Sequence, residues 1–95
     1  MDEWRTLFSP QEESSRTVQI RWACGLTVRS LRLRAGLSQQ RLARSRGINQ
    51  GNLASLERGL HTPTLDTIFR LLPGLRVDFV EFCQEFERIL KAARD

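Results

Sequence analysis

A short segment in the middle of the chain, residues 38–59, holds two helix starts and two helix stops. Ser38 and Asn49 favour the N-cap position, because their side chains accept a hydrogen bond from a backbone N–H of the first helical turn. Gly47 and Gly59 readily adopt the left-handed conformation that ends a helix. The pattern predicts two helices at a steep angle, over 39–46 and 50–58, joined by the turn Gly47-Ile48-Asn49.

The flanking segments are also helical in pattern, since no run alternates apolar and polar residues for long enough to form a sheet. We expect a first helix over 17–35. Gly25 weakens its middle, which leaves Trp22 as an alternative start. The sequence therefore predicts an all-α fold of five helices, with an N-terminal arm (1–15) and one domain (16–95).

Proline, glycine and aspartate set the bounds of the last two helices. The fourth opens at Pro63-Thr64 and is expected to end at Pro73-Gly74, because proline has no N–H to continue the helical ladder. The fifth is expected over 78–93, with Asp78 as its cap. The predicted inward residues of the fourth helix are Leu65, Ile68, Phe69 and Leu72.

Positive charge is concentrated in the middle of this 95-residue chain. Residues 20–58 hold eight arginines and one acid, Glu57, which gives +7, whereas residues 1–19 and 77–95 each carry −2. Only Lys91 is a lysine among the fifteen cationic residues. A basic region within one small domain favours a polyanionic partner such as nucleic acid. The alternative is an arginine-rich composition that supplies ordinary solvated surface.

The chain lacks the residues that several functional classes require. No apolar run is long enough to span a bilayer, and the acidic start of the chain does not resemble a signal peptide. Cys24 and Cys83 make neither a disulfide framework nor a zinc set, and we expect both to be small, reduced core residues. His61, the single histidine, is expected in a solvated loop. We therefore expect a cytoplasmic, nucleoid-associated protein with no catalytic residue, metal, cofactor or membrane contact.

The helix predicted over 50–58 has one apolar side and one uncrowded polar side. Leu53 and Leu56 fall on the inward side at 100° per residue. The outward residues are Gln50, Gly51, Ala54, Ser55 and Arg58. Glutamine can pair with adenine through two hydrogen bonds, and serine and arginine can reach bases or phosphates. The alternative is a solvated helix face.

The sequence resembles a known family at these positions. The matching residues are Gly36-Leu37-Ser38-Gln39-Gln40-Arg41-Leu42-Ala43, Gly47, residues 49–59 and Pro63-Thr64-Leu65. Their spacing is similar to the Cro/phage-repressor type of helix-turn-helix domain, the XRE family. The break after Leu72 and the aromatic last helix are similar to the controller proteins of restriction–modification systems.

This resemblance implies a sequence-specific transcriptional regulator that binds double-stranded DNA. Gln39 matches the family's phosphate-binding glutamine, Gln50 its first base-reading position, and Gly51 and Ser55 the positions that follow. Arg32 and Glu57 match a buried ion pair, and the lone acid Glu57 needs such a partner. The residues assigned to DNA are Gln39, Arg41, Arg44, Arg46, Gln50, Gly51, Asn52, Ser55 and Arg58. Arg44 and Arg46 equally suit the helix dipole at the end of their helix.

The last helix carries a long apolar stripe that suits a homodimer on a palindromic site. The predicted interface is Phe79, Phe82, Cys83, Phe86 and Ile89, with Glu81, Glu85 and Glu87 on the far face. A dimer places two recognition helices about 34 Å apart, one turn of DNA. The alternative is that the stripe packs wholly on the first and fourth helices.

The N-terminal arm contains Trp4, Leu7 and Phe8, an apolar cluster that is unfavourable in water. It can fold onto its own domain, cover the dimer contact, or bind a protein partner such as RNA polymerase or a toxin. The alternative function is therefore an XRE-type antitoxin or interaction module whose main partner is a protein.

Overall fold

The computed structural model describes the backbone of residues 10–94 and the side chains of residues 15–93. Within these residues there are five helices and no strand, which confirms the predicted all-α fold. In chain order they are α1 (Pro10–Arg34), α2 (Gln39–Arg46), α3 (Gln50–Glu57), α4 (Leu65–Leu75) and α5 (Phe79–Arg94).

Helix α1 is longer than the sequence pattern predicts. It begins at Pro10 rather than within residues 17–22, and it runs through Gly25 without a break. Proline suits the first position of a helix, since its missing N–H would have no partner there. The predicted arm of residues 1–15 is therefore too long, because residues 10–15 are helical. Its apolar residues Trp4, Leu7 and Phe8 lie outside the described residues.

The core forms where α1 packs against α3, α4 and α5, while α2 packs against α3 and α4. All five helices contribute buried side chains to one cluster. Its members include Val28, Leu31, Leu42, Leu53, Leu56, Leu71, Leu72, Leu75 and Phe82. Helix α3 is thus held from α1 and α2.

Helix α4 passes through the Pro73-Gly74 pair that the sequence pattern predicts as its end. It stops at Leu75, and Arg76 closes it with φ 60°. Pro73 lies in the last turn, where its missing N–H removes one hydrogen bond. A Cβ at Gly74 would lie 2.5 Å from Leu42 Cδ1, so glycine lets α4 approach α2 closely.

The inward face of α4 also differs from the prediction. Leu65 and Phe69 are 63% and 53% exposed. Phe69 stacks on Phe79 of α5, with 4.9 Å between the ring centroids. The buried residues of α4 are Ile68, Leu71, Leu72 and Leu75.

Helix α5 uses part of its predicted interface in the core of its own chain. Phe82 and Ile89 are buried, rather than on the surface where a dimer contact requires them. Phe79 and Phe86 are half-buried. Cys83 is exposed, so the prediction that it is a core residue is wrong.

Cys24, by contrast, is buried as predicted. Burial, and to a smaller extent the nearby Cys83, raise the pKa of its thiol to about 11. A thiol with so high a pKa holds little of the reactive thiolate at neutral pH.

Glu85 was predicted on the exposed far face of α5, but it is buried against α1. Its carboxylate accepts hydrogen bonds from Ser30 at 2.6 Å, from Arg34 at 3.2 Å and from Arg88 at 2.7 and 3.0 Å. These donors, Arg88 first and then Ser30, lower the pKa of Glu85 to about 2. The carboxylate therefore joins α5 to α1.

Among residues 10–94, none of the helices has the length and apolarity needed to cross a membrane. The same part of the chain holds no group of three or more His, Cys, Asp or Glu side chains placed to bind a metal ion.

Candidate nucleic-acid interface

The turn between α2 and α3 has the geometry that the sequence predicts. The Ser38 hydroxyl accepts from the Arg41 N–H, and the Asn49 side chain accepts from the Asn52 N–H, each at 3.1 Å. Gly47 adopts φ 65° and ψ 35°, a left-handed conformation, and its N–H points to the last carbonyls of α2. These local contacts fix where α3 begins and its direction relative to α2.

A buried network of hydrogen bonds holds the inward side of α3 against α1. Arg32 of α1 donates through Nε and Nη2 to the Glu57 carboxylate at 2.7 and 3.0 Å. Arg32 Nη1 also donates to the Leu37 carbonyl at 2.7 Å. The Glu57 side chain is 2% exposed, so this pair is shielded from water. The structure therefore contains the ion pair that the family resemblance implies.

Gln39 joins the same network. Its Nε2 donates to Glu57 Oε1 at 3.0 Å, so the side chain assigned to phosphate binding is already held by α3. A glutamine amide has two N–H donors and one carbonyl acceptor. One N–H of Gln39 therefore remains free for a further acceptor.

Helix α1 approaches the C-terminal end of α3 at Gly25. A Cβ on Gly25 would lie 2.5 Å from the Leu56 carbonyl oxygen and 2.7 Å from that of Glu57. Real Cβ atoms do not approach backbone this closely, so only glycine permits the contact. The sequence pattern marks Gly25 as a weak point of α1. In the structure, Gly25 is the residue that lets α1 approach α3 closely.

The outward side of α3, which we call the recognition face, consists of Gln50, Gly51, Ala54, Ser55 and Arg58. Gln50, Gly51 and Arg58 are exposed, and Ala54 and Ser55 are half-buried. The side chains of Gln50, Ser55 and Arg58 make no hydrogen bond or ion pair within residues 15–93. Arg58 caps α3 rather than belonging to its last turn. The face therefore offers free polar groups on a helix with no bulky apolar side chain in the way.

The arginines of α2 separate into two kinds. Arg41 and Arg44 are exposed and have no ion pair within the described part of the chain. Arg46 is half-buried, and its Nε donates to the Arg70 carbonyl at 2.7 Å. Arg46 thus links α2 to α4, a structural role that the sequence does not indicate.

An open crevice of about 400 Å³ lies between α3 and α4. Its polar lining includes Asn49, Asn52, His61, Thr67 and Arg70. Asn52, which the sequence assigns to DNA, therefore lines this crevice and is not part of the recognition face. His61 lies beside α3, which its position in a loop does not reveal.

Residues 28–82 match the family described as helix-turn-helix. The chain belongs to the helix-turn-helix family. The resemblance to the Cro/phage-repressor type is thereby confirmed, and the matched segment runs from the middle of α1 into α5.

Two curated relatives are HTH-type transcriptional regulators. SutR of Escherichia coli (strain K12) is 36% identical over 56 residues, which are 59% of this chain and 32% of SutR. The uncharacterized regulator y4dJ of Sinorhizobium fredii (strain NBRC 101917 / NGR234) is 36% identical over 64 residues, which are 67% of this chain and 83% of y4dJ. The chain thus spans about a third of SutR but most of y4dJ.

A solved structure shows the same fold. A mutant of the restriction–modification controller protein C.Esp1396I superimposes with a TM-score of 0.71 at 19% identity, covering 76% of this chain and 96% of that one. The similarity to controller proteins expected from the sequence is therefore confirmed for the fold.

Proposed function

We propose that this protein is a sequence-specific DNA-binding transcriptional regulator that acts as a homodimer on a palindromic site. The proposal depends on the recognition face. Its polar side chains are unpaired among residues 15–93, and two of them, Gln50 and Arg58, are exposed. The ion pair between Arg32 and Glu57 holds α3 on its buried side. A short helix of this kind fits the major groove.

The recognition face suggests a division of roles. Gln50 suits adenine, because its amide can donate to N7 and accept from N6. Ser55 can contact a base or a phosphate, and Arg58 at the helix end can contact a phosphate or guanine. Gly51 and Ala54 have little or no side chain, so the backbone of α3 can approach the bases closely. Asn52, which lines the crevice, would contact the sugar–phosphate backbone of the DNA.

Phosphate contacts fit the exposed polar side of α2, along most of its length. The free N–H of Gln39 and the unpaired arginines Arg41 and Arg44 supply donors and positive charge. Glu57 is the only acid within residues 20–58, and it is buried against Arg32. Apart from Arg34, which pairs with Glu85, the exposed arginines of this region have no opposing carboxylate, which favours a polyanion.

The dimer contact that the structure supports is an apolar surface on α4 and α5. We call it the α4–α5 surface, and it comprises Leu65, Phe69, Phe79, Val80 and Cys83. Leu65, Phe69 and Val80 are 63%, 53% and 62% exposed. Beside them on α5, Glu87 and Lys91 pair with each other at 2.8 Å, so no unpaired charge borders the apolar side chains at that point.

The proposal is tested by footprinting the protein on DNA upstream of its own gene and then measuring binding of Gln50→Ala. We expect a loss of about 1–3 kcal/mol at the protected site and none on random DNA, because only the base contact is removed. Equal loss on both DNAs would show that Gln50 does not read bases. The absence of any protected site, with a protein partner recovered instead, would favour the antitoxin function.

Two variants that each remove one positive charge test the proposed phosphate contacts of α2. Arg44→Gln should reduce the salt slope of dimer binding by about two, because each protomer loses one phosphate contact. Lys91→Gln removes the same charge from the acidic end of the molecule and should leave the slope unchanged. Identical slopes for the two variants would mean that α2 does not contact phosphate.

A further inference from the structure

Helix α1 carries apolar side chains on both of its sides. One side packs in the core through residues such as Val28 and Leu31. The other side presents Val18, Trp22 and Leu33, which are 55%, 44% and 56% exposed and which we call the α1 row. A helix that is apolar on all sides is normally buried on all sides. The row therefore indicates a contact that residues 15–93 do not make within one chain.

The α1 row is symmetric about the middle of its helix. Val18 is the eighth residue before the point between Gly25 and Leu26, and Leu33 is the eighth residue after it. Trp22 is the fourth residue before that point, and Arg29 is the fourth after it. At 100° per residue these four positions share about 60° of arc on one face. A two-fold axis through that point therefore brings Val18 of one copy to Leu33 of another, and Trp22 to Arg29.

The pairs that this symmetry brings together are chemically complementary. Val18 and Leu33 would remove apolar surface from water. Arg29 is exposed and has no ion pair among residues 15–93. Its guanidinium can stack on the exposed ring of Trp22 of the other copy, as arginine does on tryptophan. The two Arg29 residues would lie about 10 Å apart along the helices, close to the Debye length, so their repulsion is largely screened.

We propose that a second copy of this chain docks on the α1 row, with the two α1 helices antiparallel. The row shares no residue with the recognition face or the α4–α5 surface, so this contact adds to the proposed dimer and does not replace it. Three apolar side chains and one arginine per copy make a small contact, and small contacts are weak. The α1 contact therefore joins dimers at high protein concentration and is lost on dilution before the dimer dissociates.

Cysteine cross-linking tests the antiparallel register. A Cys83→Ser background removes the exposed thiol and leaves only the buried Cys24. In that background, Val18→Cys mixed with Leu33→Cys and treated with oxidised glutathione should give a covalent dimer, because a disulfide bridges Cα atoms up to about 7 Å apart. Val18→Cys alone should give none, since its two copies would lie about 22 Å apart along the helices. Cross-linking of Val18→Cys alone, or none in the mixture, would overturn the proposal.

Sedimentation tests whether the contact forms in the unmodified chain. Over a roughly hundredfold rise in concentration above that at which the dimer forms, a species heavier than the dimer should appear. Leu33→Glu should abolish this species and leave the dimer, because its carboxylate would be buried at the contact. Gln40→Glu places the same charge on the exposed side of α2 and should keep the species. A heavier species that persists in Leu33→Glu would overturn the proposal. If the unmodified chain never forms one, the proposal is also wrong, and the row belongs to a different protein partner.

Discussion

Glu57 is the residue on which the position of α3 depends most. Its carboxylate accepts from Arg32 of α1 and from Gln39 of α2, so one buried side chain joins three helices. A buried charge is tolerated only while its partners remain, since desolvation of an unpaired ion costs several kcal/mol. The same contact fixes the side chain of Gln39, which we propose binds a phosphate.

A double-mutant cycle tests this coupling. Arg32→Met or Glu57→Met alone should lower the free energy of unfolding by ~3–5 kcal/mol, because each leaves a buried charge unpaired. Arg32→Met/Glu57→Met should cost clearly less than the sum of the two, as the second charge is also gone. Urea denaturation measures all three values. Additive losses would show that the two side chains do not depend on each other.

Glu85 makes the acid stability of the fold depend on one carboxylate. Its pKa is lowered to about 2 in the folded chain, from 4.5. The stabilisation is therefore complete above pH 4.5 and is lost as the pH falls towards 2. We expect this loss to be at most ~3 kcal/mol, because Arg34 and Arg88 are largely exposed and screened. Glu85→Gln should flatten the unfolding free energy over that range. Glu87→Gln should flatten it much less, because Lys91 lowers the pKa of Glu87 through an exposed, screened pair.

Helix α1 positions the recognition helix through a glycine. Gly25→Ala should gain about 1 kcal/mol of helix propensity. It should nevertheless destabilise the fold by ~1–3 kcal/mol, because the new methyl meets the Leu56 and Glu57 carbonyls and forces α1 and α3 apart. DNA affinity should fall with it. Gly47→Ala is the comparison, since its Cβ meets nothing within 4 Å and tests backbone strain alone. A stabilised Gly25→Ala in thermal unfolding would contradict the close contact.

The elements that the sequence predicts well are those set by local signals. Ser38, Gly47 and Asn49 act within one turn of the chain, so α2 and the start of α3 have the predicted bounds. Pro73 is also a local signal, but it misleads, because α4 continues to Leu75, where that residue is buried and Gly74 lies against Leu42 of α2. Phe69 faces outward because the positions of the other helices decide which side of α4 is buried.

The candidate site divides in the same way. The recognition face follows from the inward leucines Leu53 and Leu56, which the helical period identifies. The link from Arg46 to the Arg70 carbonyl and the position of His61 in the crevice depend on residues distant in sequence. No pattern within α2 or the loop predicts them.

Residues 15–93 present one polar surface and two apolar ones. The recognition face is polar, and the exposed arginines of α2 border it. The α4–α5 surface is apolar, and so is the α1 row, formed by Val18, Trp22 and Leu33. Together with Leu60, these two apolar surfaces contain all of the large apolar side chains that are strongly exposed among residues 15–93. Which of the two carries the dimer contact is therefore a question that matched substitutions can answer.

Matched valine substitutions distinguish these contacts. Val80→Glu on the α4–α5 surface should convert the dimer to a monomer in sedimentation, because the carboxylate would be buried at the contact without a partner. Val18→Glu places the same charge on the α1 row at similar exposure, 55% against 62%, and should leave the dimer intact. Since the proposed dimer places two copies of α3 on one palindromic site, the Val80→Glu monomer should protect a single half-site and bind it more weakly. A dimer that survives Val80→Glu but is lost in Val18→Glu would place the dimer contact on α1.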